Sequence, residues 1–164
     1  MLPDRFREVF AYEPETGILT RKVATAPMHK VGERVGYKHK GHGYIALAVD
    51  YKSHLAHRVI WAIVHGKMPE GEIDHINGDK TDNRLCNLRD VSKQLNQLNR
   101  PKGARRDNTS GHTGVFKRDN GKFRAMLGGA KARQHLGTYD TFAEAAAARD
   151  AALARIWRQT GVEA

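Results

Sequence analysis

The chain has 164 residues, 40% of them hydrophobic, which is enough for one compact domain or two small ones. Lys and Arg outnumber Asp and Glu by 28 to 18, and the resulting net charge of +10 suggests a polyanionic partner. No apolar run approaches about eighteen residues, and the start of the chain lacks the apolar stretch of a signal peptide. The single cysteine excludes an internal disulfide. Together these features predict a soluble, cytoplasmic protein.

Hydrophobic patterns place several short elements in the first part of the chain. The spacing of apolar residues predicts helices over 4–10 and 58–66, and strands over 18–21, 44–49 and about 54–56. The stretch "GEIDHINGDK" is typical of a strand that runs into an Asn-Gly turn, and "NLRD" of its partner strand. Ser92 can cap a helix over 93–99, which Pro101 ends. Residues 20–43 indicate only loops and short strands.

A basic stretch without apolar periodicity, residues 101–110, is predicted to link a domain over 1–100 to a second one over 111–164. The second domain is predicted to contain three short strands, "GVFKR", "KFRAML" and "RQHLGTY", followed by an Ala-rich helix. Thr141 and Glu144 have the spacing of a capping box. One buried stripe of this helix can contain Phe142, Ala145, Leu153, Ile156 and Trp157. The predicted fold class is therefore α+β, with small antiparallel sheets packed on helices.

The segment "IDHINGDKTDNRLCNLRD" (73–90) concentrates acidic and amide side chains around one histidine. A solvated hairpin loop would also explain the Asn-Gly turn and its flanking Asp residues. The spacing does not fit a calcium loop, and a zinc site of the usual kind would need thiolates or a second nearby His. Asp74 at the strand end and Asn96 on the next helix can supply the oxygen ligands that Mg²⁺ or Mn²⁺ prefer, with His75 beside them to deprotonate water.

The stretch "IDHINGDKTDNRLCNLRDVSKQLNQLNR" resembles the core of the HNH endonucleases, in the subgroup of phage and intron-encoded homing enzymes. The segments "AHRVIWAIVHGKMPEG" and "FAYEPETGILTRK" are similar to parts of the same subgroup, so the resemblance covers most of residues 8–100. It implies a ββα-metal (His-Me finger) module in which His75 is the general base and Asp74 is the first metal ligand. Asn87 matches the central Asn that braces the loop, and Asn96 stands at the last ligand position, which gives a His-Asn-Asn variant.

An amide at the last ligand position favours one hard divalent cation, Mg²⁺ or Mn²⁺, over Zn²⁺ or Ni²⁺. No small-molecule cofactor is expected. His57 and Arg58 match a His-Arg pair of the subgroup, which we interpret as support for the hairpin or for a phosphate rather than as chemistry. Arg100 can contact the DNA backbone or simply end a solvated helix, and Cys86 is expected to be a packed small side chain. Roles in shaping the hairpin loop are predicted for Asp79, Asp82 and Asn83.

Residues 110–158 resemble the APETALA/ethylene-response-factor DNA-binding domain of plants, through "SGHTGVFKR", "GKFRAMLGG" and "RQHLGTYDTFAEAAAARDAA". Alternation along "KFRAML" is expected to turn the apolar residues toward the helix and the basic ones outward. The resemblance implies that this outer face enters the major groove of duplex DNA. Candidate contacts are Arg118, Lys122, Arg124, Arg133 and His135. Because Phe116 and His135 stand where the plant domains carry Arg or Trp, no sequence preference is carried over.

These features favour a homing-type endonuclease that hydrolyses phosphodiester bonds in double-stranded DNA. One site cuts one strand, so a monomer or weak dimer would nick, and a double-strand break would need paired sites or two successive cuts. A non-catalytic DNA-binding or regulatory protein that keeps the HNH scaffold is the alternative, and an RNA-directed nuclease is a third class. The presence of all four motif residues in register favours the enzyme.

Overall fold

The computed structural model describes residues 1–99, 110–128 and 133–159. The chain divides into two compact units, Met1–Ser92 and Lys93–Glu163, and both combine helices with small antiparallel sheets. The predicted mixture of helices and antiparallel sheets is thus confirmed. Arg100 and residues 101–109 lie outside the described residues, so the predicted linker stays a prediction. Across the three described ranges, no helix has the length and apolar character needed to cross a bilayer.

The first unit contains three separate antiparallel sheets: β1 with β2, β4 between β3 and β5, and β6 with β7. Its elements in chain order are α1 (Leu2–Val9), β1 (Phe10–Glu13), β2 (Ile18–Arg21), β3 (Tyr37–Lys38), β4 (Ile45–Val49), β5 (Lys52–Leu55), α2 (Ala56–His65), β6 (Glu72–His75), a 3₁₀ turn (Leu85–Asn87) and β7 (Leu88–Val91). The predicted helices and strands of this region are confirmed, and their bounds differ by no more than two residues.

The core of the first unit lies between α1 and α2. Phe6 and Val9 on α1, and Val59 and Ile60 on α2, are at most 1% exposed. Phe6 and Val9 lie about one helical turn apart on the buried face of α1, and Val59 and Ile60 are neighbours on the buried side of α2, where burial of apolar surface stabilises the contact. α2 ends at Gly66, whose φ of 72° is a left-handed conformation that favours glycine. The chain can therefore turn sharply there and lead into β6.

Polar side chains fix the start of β6. Arg58 Nη1 donates to the carbonyl of Gly71 at 2.9 Å, and the Asp90 carboxylate accepts the backbone N–H groups of Glu70 and Gly71 at 2.7 and 2.8 Å. Gly71 has no space for a side chain, because a Cβ there would collide with the backbone of β7. These contacts determine where the β6–β7 hairpin begins.

The segment that precedes β4 has little regular structure, as predicted. It contains the two-residue strand β3 and an isolated bridge between Thr20 and Arg34. Arg21 is buried and pairs with Glu33 at 2.7 Å, which joins the segment to β2. The segment ends in a basic stretch, "KHKGHGY" (38–44), whose first five residues are exposed and which leads directly into β4.

The second unit begins with α3 (Lys93–Asn99) and continues with β8 (Val115–Lys117), β9 (Phe123–Leu127), β10 (Gln134–Tyr139) and α4 (Phe142–Gln159). β9 is the central strand of an antiparallel sheet in the order β10-β9-β8. α4 packs on one face of this sheet through Val115, Ala125 and Ala145, each with no measurable exposure. The three predicted strands and the predicted helix are confirmed.

The start of α4 has the predicted capping box. The Thr141 N–H donates to Glu144 Oε2 at 3.1 Å, and the Glu144 N–H donates to Thr141 Oγ1 at 3.3 Å. Ala145 and Leu153 are buried as predicted, whereas Ile156 and Trp157 are only half-buried and Phe142 is 38% exposed. Phe142 is the first residue of the helix, and its ring contacts Phe123 only edge-on, with 6.0 Å between ring centres.

Candidate active site

Asp74 and His75 are the last two residues of β6, and Asp74 lies directly opposite Arg89 on β7. Both side chains of this cross-strand pair are buried. The Arg89 guanidinium donates from Nε and Nη2 to Asp74 Oδ2, at 2.9 and 2.7 Å. A carboxylate buried without a partner would destabilise the fold by several kcal/mol. Arg89 therefore holds the Asp74 carboxylate in one orientation.

His75 is 4% exposed, and its ring is held by Asn83 from the loop after β6. The distance from His75 Nε2 to Asn83 Oδ1 is 3.1 Å. Because an amide oxygen only accepts hydrogen bonds, Nε2 carries the proton and Nδ1 carries the lone pair. Burial lowers the pKa of His75, although the hydrogen bond to Asn83 acts in the opposite direction. At neutral pH the imidazole is therefore uncharged, which is the form that can take a proton from water.

Two further rings enclose His75. The ring centre of Tyr44 lies 5.7 Å from that of His75, and the ring centre of His57 lies 5.1 Å from it with the planes nearly perpendicular. Burial lowers the pKa of His57 to about 3, so His57 is uncharged as well. Among the described residues, no hydrogen-bond partner reaches the buried His57 Nδ1. This packing excludes solvent from one side of His75.

Asn87 spans the loop between β6 and β7. Its Oδ1 accepts the backbone N–H of Asn77 at 3.0 Å, and its Nδ2 donates to the Asp82 carbonyl at 2.8 Å. Asn77 Nδ2 in turn donates to Asp82 Oδ2 at 2.8 Å. The Arg84 guanidinium on the same carboxylate lowers the pKa of Asp82 to about 2. The loop after His75 is thus closed by its own amide and carboxylate groups.

Tyr12 on β1 connects the N-terminal hairpin to this loop. Its hydroxyl donates to the Asn83 carbonyl at 3.2 Å and accepts the Leu85 N–H at 2.8 Å. Gly17, in the turn between β1 and β2, has a φ of 71° and lies so close to the loop that a Cβ would collide with the backbone at Asn83. Asn83, which holds the ring of His75, is therefore itself held by the N-terminal hairpin.

Asn96, the second predicted metal ligand, is buried on α3. α3 belongs to the second unit, so the pairing of Asn96 with Asp74 at a metal stays a prediction. The Asp74 carboxylate offers the hard oxygen donors that Mg²⁺ and Mn²⁺ prefer, and one of these oxygens bonds Arg89. In the part of the chain that the structure describes, no group of three or more His, Cys, Asp or Glu is arranged to hold a metal ion. A cation at Asp74 would therefore need water, phosphate and amide oxygens as its other ligands.

The remaining residues singled out from the sequence have separate places. Arg58 bonds the backbone ahead of β6, whereas its neighbour His57 faces His75. Asp79 Oδ1 accepts the Thr81 N–H at 2.9 Å within the hairpin loop. The prediction that Cys86 is packed is wrong, because Cys86 is exposed. In the 3₁₀ turn it occupies the outward position, next to the inward-pointing Asn87.

The outer face of the sheet in the second unit carries part of the predicted DNA-contacting set. A shallow concavity of about 380 Å³ is lined by Arg118, Asn120, Arg124, Met126, His135 and Thr138. A bulge after His135 keeps both His135 and Thr138 on this face. Lys122 pairs with Asp140 at 2.8 Å, and Arg133 is exposed just before β10.

Four residues make contacts at this site that no sequence pattern predicts: Tyr12, Tyr44, Asn83 and Arg89. The predicted hairpin offers a partial signal for Arg89, because two paired strands with a defined turn put some residue of "NLRD" opposite Asp74. Tyr12 and Tyr44 lie far from His75 along the chain. No local pattern distinguishes them from ordinary core aromatics.

Residues 54–98 match the model of a family described as HNH endonuclease. The matched segment runs from β5 into α3 and includes Asp74, His75, Asn87 and Asn96. This segment therefore resembles an HNH endonuclease domain, which supports nuclease activity in general. Searches of curated proteins and of solved structures gave no significant match to the chain.

Proposed function

We propose that the protein is a metal-dependent endonuclease that hydrolyses phosphodiester bonds in double-stranded DNA. The observation that carries this proposal is the state of His75, which is buried, uncharged and held through Nε2 by Asn83, directly after Asp74. A histidine with a purely structural role needs only a hydrogen-bond partner. A general base also needs an unprotonated nitrogen and a neighbouring group that can position the phosphate.

In this proposal, His75 Nδ1 takes a proton from a water molecule whose oxygen forms the new bond to phosphorus. The bond from phosphorus to the 3′ oxygen breaks, and that oxygen is protonated by solvent. Asp74 and Asn96 would hold one divalent cation, Mg²⁺ or Mn²⁺, and such a cation would supply positive charge that offsets the negative charge developing in the reaction. The bonds of Asn87 across the hairpin loop support its role in bracing that loop.

Duplex DNA is the proposed partner of the second unit as well. The basic concavity on the outer face of the β8–β10 sheet supports this proposal, with Arg118, Arg124 and His135 on its wall. Lys122, Arg133 and Arg100 are further candidate contacts with the DNA backbone. Together with the resemblance to homing enzymes and to the plant DNA-binding domain, this favours an enzyme of the homing type. A chain that acts alone would nick one strand.

The ion pair between Asp74 and Arg89 favours a second candidate function. If the guanidinium held Asp74 permanently, the HNH scaffold would bind DNA without cutting it. Such a protein would act as a DNA-binding or regulatory factor. The two candidates differ in whether a divalent cation enables strand cleavage.

Plasmid relaxation in the presence of Mg²⁺, Mn²⁺, Zn²⁺ or EDTA separates them. An endonuclease of the proposed kind produces open circles with Mg²⁺ or Mn²⁺ and none with EDTA. Linear product as the first species would indicate paired active sites instead of a nicking monomer. Retarded bands in a mobility-shift assay, without cleavage in any of the metals, would support the DNA-binding protein.

A further inference from the structure

We propose that residues 38–44, which run from the last residue of β3 to the start of β4, form with Lys80 a binding site for the DNA phosphate backbone beside His75. This inference rests on the proposed nuclease function and adds a specific DNA-contacting surface to the first unit. It concerns residues to which the sequence motifs assign no role. We call these residues the 38–44 loop below.

A series of ring contacts joins the 38–44 loop to the candidate active site. Tyr44, at the end of the loop, lies 5.7 Å from the ring centre of His75. His42 lies 5.4 Å from Tyr44 and stacks on His39 at 3.9 Å, with the two imidazole planes 6° apart. His39 and His42 are both exposed. The loop therefore connects the buried general base to the surface of the same unit.

Lys80, from the loop after β6, fixes this arrangement. Its Nζ donates to the His42 carbonyl at 3.0 Å and lies 4.8 Å from the centre of the Tyr44 ring. The 38–44 loop and the loop that carries Asn83 are therefore joined through one ammonium group. Lys80 is exposed, so its charge lies at the surface where the two loops meet.

The 38–44 loop presents hydrogen-bond donors to solvent. His39 Nδ1 accepts the Gly41 N–H, and His42 Nδ1 accepts the Tyr44 N–H, both at 3.2 Å. In each neutral imidazole the proton must then be on Nε2, which is a donor. Lys38 and Lys40 are exposed on either side of His39 and add two ammonium groups. Charged donors of this kind match the anionic oxygens of a phosphodiester backbone.

The carboxylates near this surface do not neutralise it. Asp82 pairs with Arg84 at 2.7 Å, and Asp79 is engaged by the backbone and side chain of Thr81. The bonds from Thr81 and the nearby charge of Lys38 lower the pKa of Asp79, which stays ionised. Three lysines therefore stand against this one carboxylate, so the surface keeps a net positive charge. The rings of His39, His42, Tyr44 and His75 are in contact one after another, so this basic surface adjoins the candidate active site. A strand of DNA whose scissile phosphate lies at His75 would therefore pass over this surface.

Lysine footprinting on the full chain tests the proposal directly. The protein is treated with an acetylating reagent, with and without a 30-base-pair duplex of random sequence (about three helical turns), and each lysine is quantified by mass spectrometry. Lys38, Lys40 and Lys80 should be protected by about threefold or more, because phosphate contacts dominate non-specific binding. Lys52, at the far end of the β4–β5 hairpin from Tyr44, should stay reactive. Equal reactivity of Lys38 and Lys52 in the complex would overturn the proposal.

Charge substitutions give an independent readout. Lys38→Gln combined with Lys40→Gln should reduce the slope of log K against log[salt] by about 1.8, since each lost phosphate contact contributes about 0.9. The matched control, Lys30→Gln with Lys52→Gln, removes the same charge from other exposed positions of the unit and should change the slope by less than half as much. Equal effects of the two pairs would mean that only net charge matters, which would contradict a defined site.

Failure of this site and failure of the nuclease proposal can be told apart. If the wild-type protein binds the duplex but does not cut plasmid with any metal, the nuclease proposal is refuted. Lysine footprinting then still tests whether the 38–44 loop contacts DNA. If it cuts, the Lys38/Lys40 variant should raise KM with little change in kcat, because the contacts bind ground state and transition state alike. Normal KM together with unprotected lysines would refute the site and leave the nuclease standing.

Discussion

The hydrogen bond from His75 to Asn83 determines which nitrogen of the histidine can act as a base. A histidine in water exchanges freely between its two neutral forms, whereas here the acceptor Asn83 Oδ1 selects the form with the proton on Nε2. The lone pair is then on Nδ1, and burial keeps the ring uncharged at neutral pH. The residue is thus prepared for proton transfer before the substrate arrives.

Asn83→Leu should reduce the rate of plasmid cleavage by about a hundredfold, because the tautomer is no longer selected and Nε2–H is left without a partner. Asn83→Asp keeps an acceptor at the same place and is the matched control. Its negative charge should raise the pKa of His75 and move the pH dependence of the rate upward. Wild-type rates and an unchanged pH profile in both variants would show that Asn83 does not orient the base.

The ion pair between Arg89 and Asp74 predicts an asymmetric response to mutation. Arg89→Met leaves a buried carboxylate without its guanidinium and should lower the free energy of unfolding by about 3–5 kcal/mol. Combining it with Asp74→Asn removes the buried charge and should restore part of that loss. Urea unfolding of the wild type and both variants measures the difference. A single variant as stable as the double one would contradict the buried pairing.

His57 makes the stability of the fold depend on pH. Its pKa falls from an ordinary value of 6.5 to about 3 in the folded chain, so the unfolded chain binds the proton more strongly. The stability linked to this group is fully present above pH 6.5 and is lost as the pH falls toward 3. Below the unfolded pKa the slope is about 1.4 kcal/mol per pH unit for one proton.

His57→Phe should remove this contribution and keep the ring packing against His75. Unfolding of wild type and variant in urea at about pH 7 and about pH 5 measures the effect, because the variant should lose less stability over this interval. Identical losses in the two proteins would mean that His57 is already protonated in the folded state.

At the residue scale, the local motif was sufficient to identify Asp74 and His75 as candidates, because their order and spacing carry the chemistry. The contact between His75 and Asn83 was not predictable from the same motif, although only eight positions separate them. Its formation depends on the path of the loop, which the hydrogen bonds of Asn87 and Tyr12 fix. The exposure of Cys86 has the same origin, since a single turn of 3₁₀ structure determines which neighbour points inward.

At the scale of elements, the β1–β2 hairpin acts as a support for the loop after β6. The Tyr12 hydroxyl bonds both the carbonyl of Asn83 and the N–H of Leu85, which are otherwise difficult to satisfy in a partly buried loop. Burial raises the pKa of Tyr12, so the hydroxyl stays protonated and can donate.

Tyr12→Phe should lower the free energy of unfolding by about 1–2 kcal/mol, because two hydrogen bonds are lost while the ring packing is kept. Cleavage should fall more than this loss of stability explains, since Asn83 loses its support. The measurement is the initial nicking rate at a temperature where both proteins are fully folded, with Tyr37→Phe on exposed β3 as the control. Equal nicking rates for wild type and Tyr12→Phe would show that the β1–β2 hairpin does not support the candidate active site.

The positions of the helices and strands followed from periodicity and turn residues, but their registers did not. In β10 the predicted alternation is interrupted by a bulge after His135. Leu136 packs into the core of the second unit, and Gly137, with a φ of 147°, has no space for a side chain next to Tyr139. The bulge arises from these packing demands of the neighbouring strand and of α4, which no strand pattern contains. It nonetheless keeps His135 on the predicted outer face.

At the scale of the whole molecule, the positive charge is divided between two kinds of surface. Over residues 100–135 the chain has 10 basic and 2 acidic residues, and the described part of this range includes the concavity around Arg124. A smaller basic surface lies on the first unit at the 38–44 loop, beside the candidate site. The acidic segment 73–90 lies between these two surfaces in the sequence. It is compatible with a polyanionic substrate, because its carboxylates bond within the loop or pair with arginines.

The measurement that tests the account most directly is plasmid relaxation by the wild-type protein and by His75→Ala, each with Mg²⁺ and with EDTA. His65→Ala is the matched control, because His65 is the last residue of α2 and its ring packs against that of Trp61 with 4.0 Å between ring centres. We expect Mg²⁺-dependent open circles with wild type and His65→Ala, and a loss of at least about a hundredfold with His75→Ala. Cleavage by His75→Ala at the rate of His65→Ala, or no cleavage by the wild type with Mg²⁺ or Mn²⁺, would contradict the assignment of His75 as the general base of a nuclease.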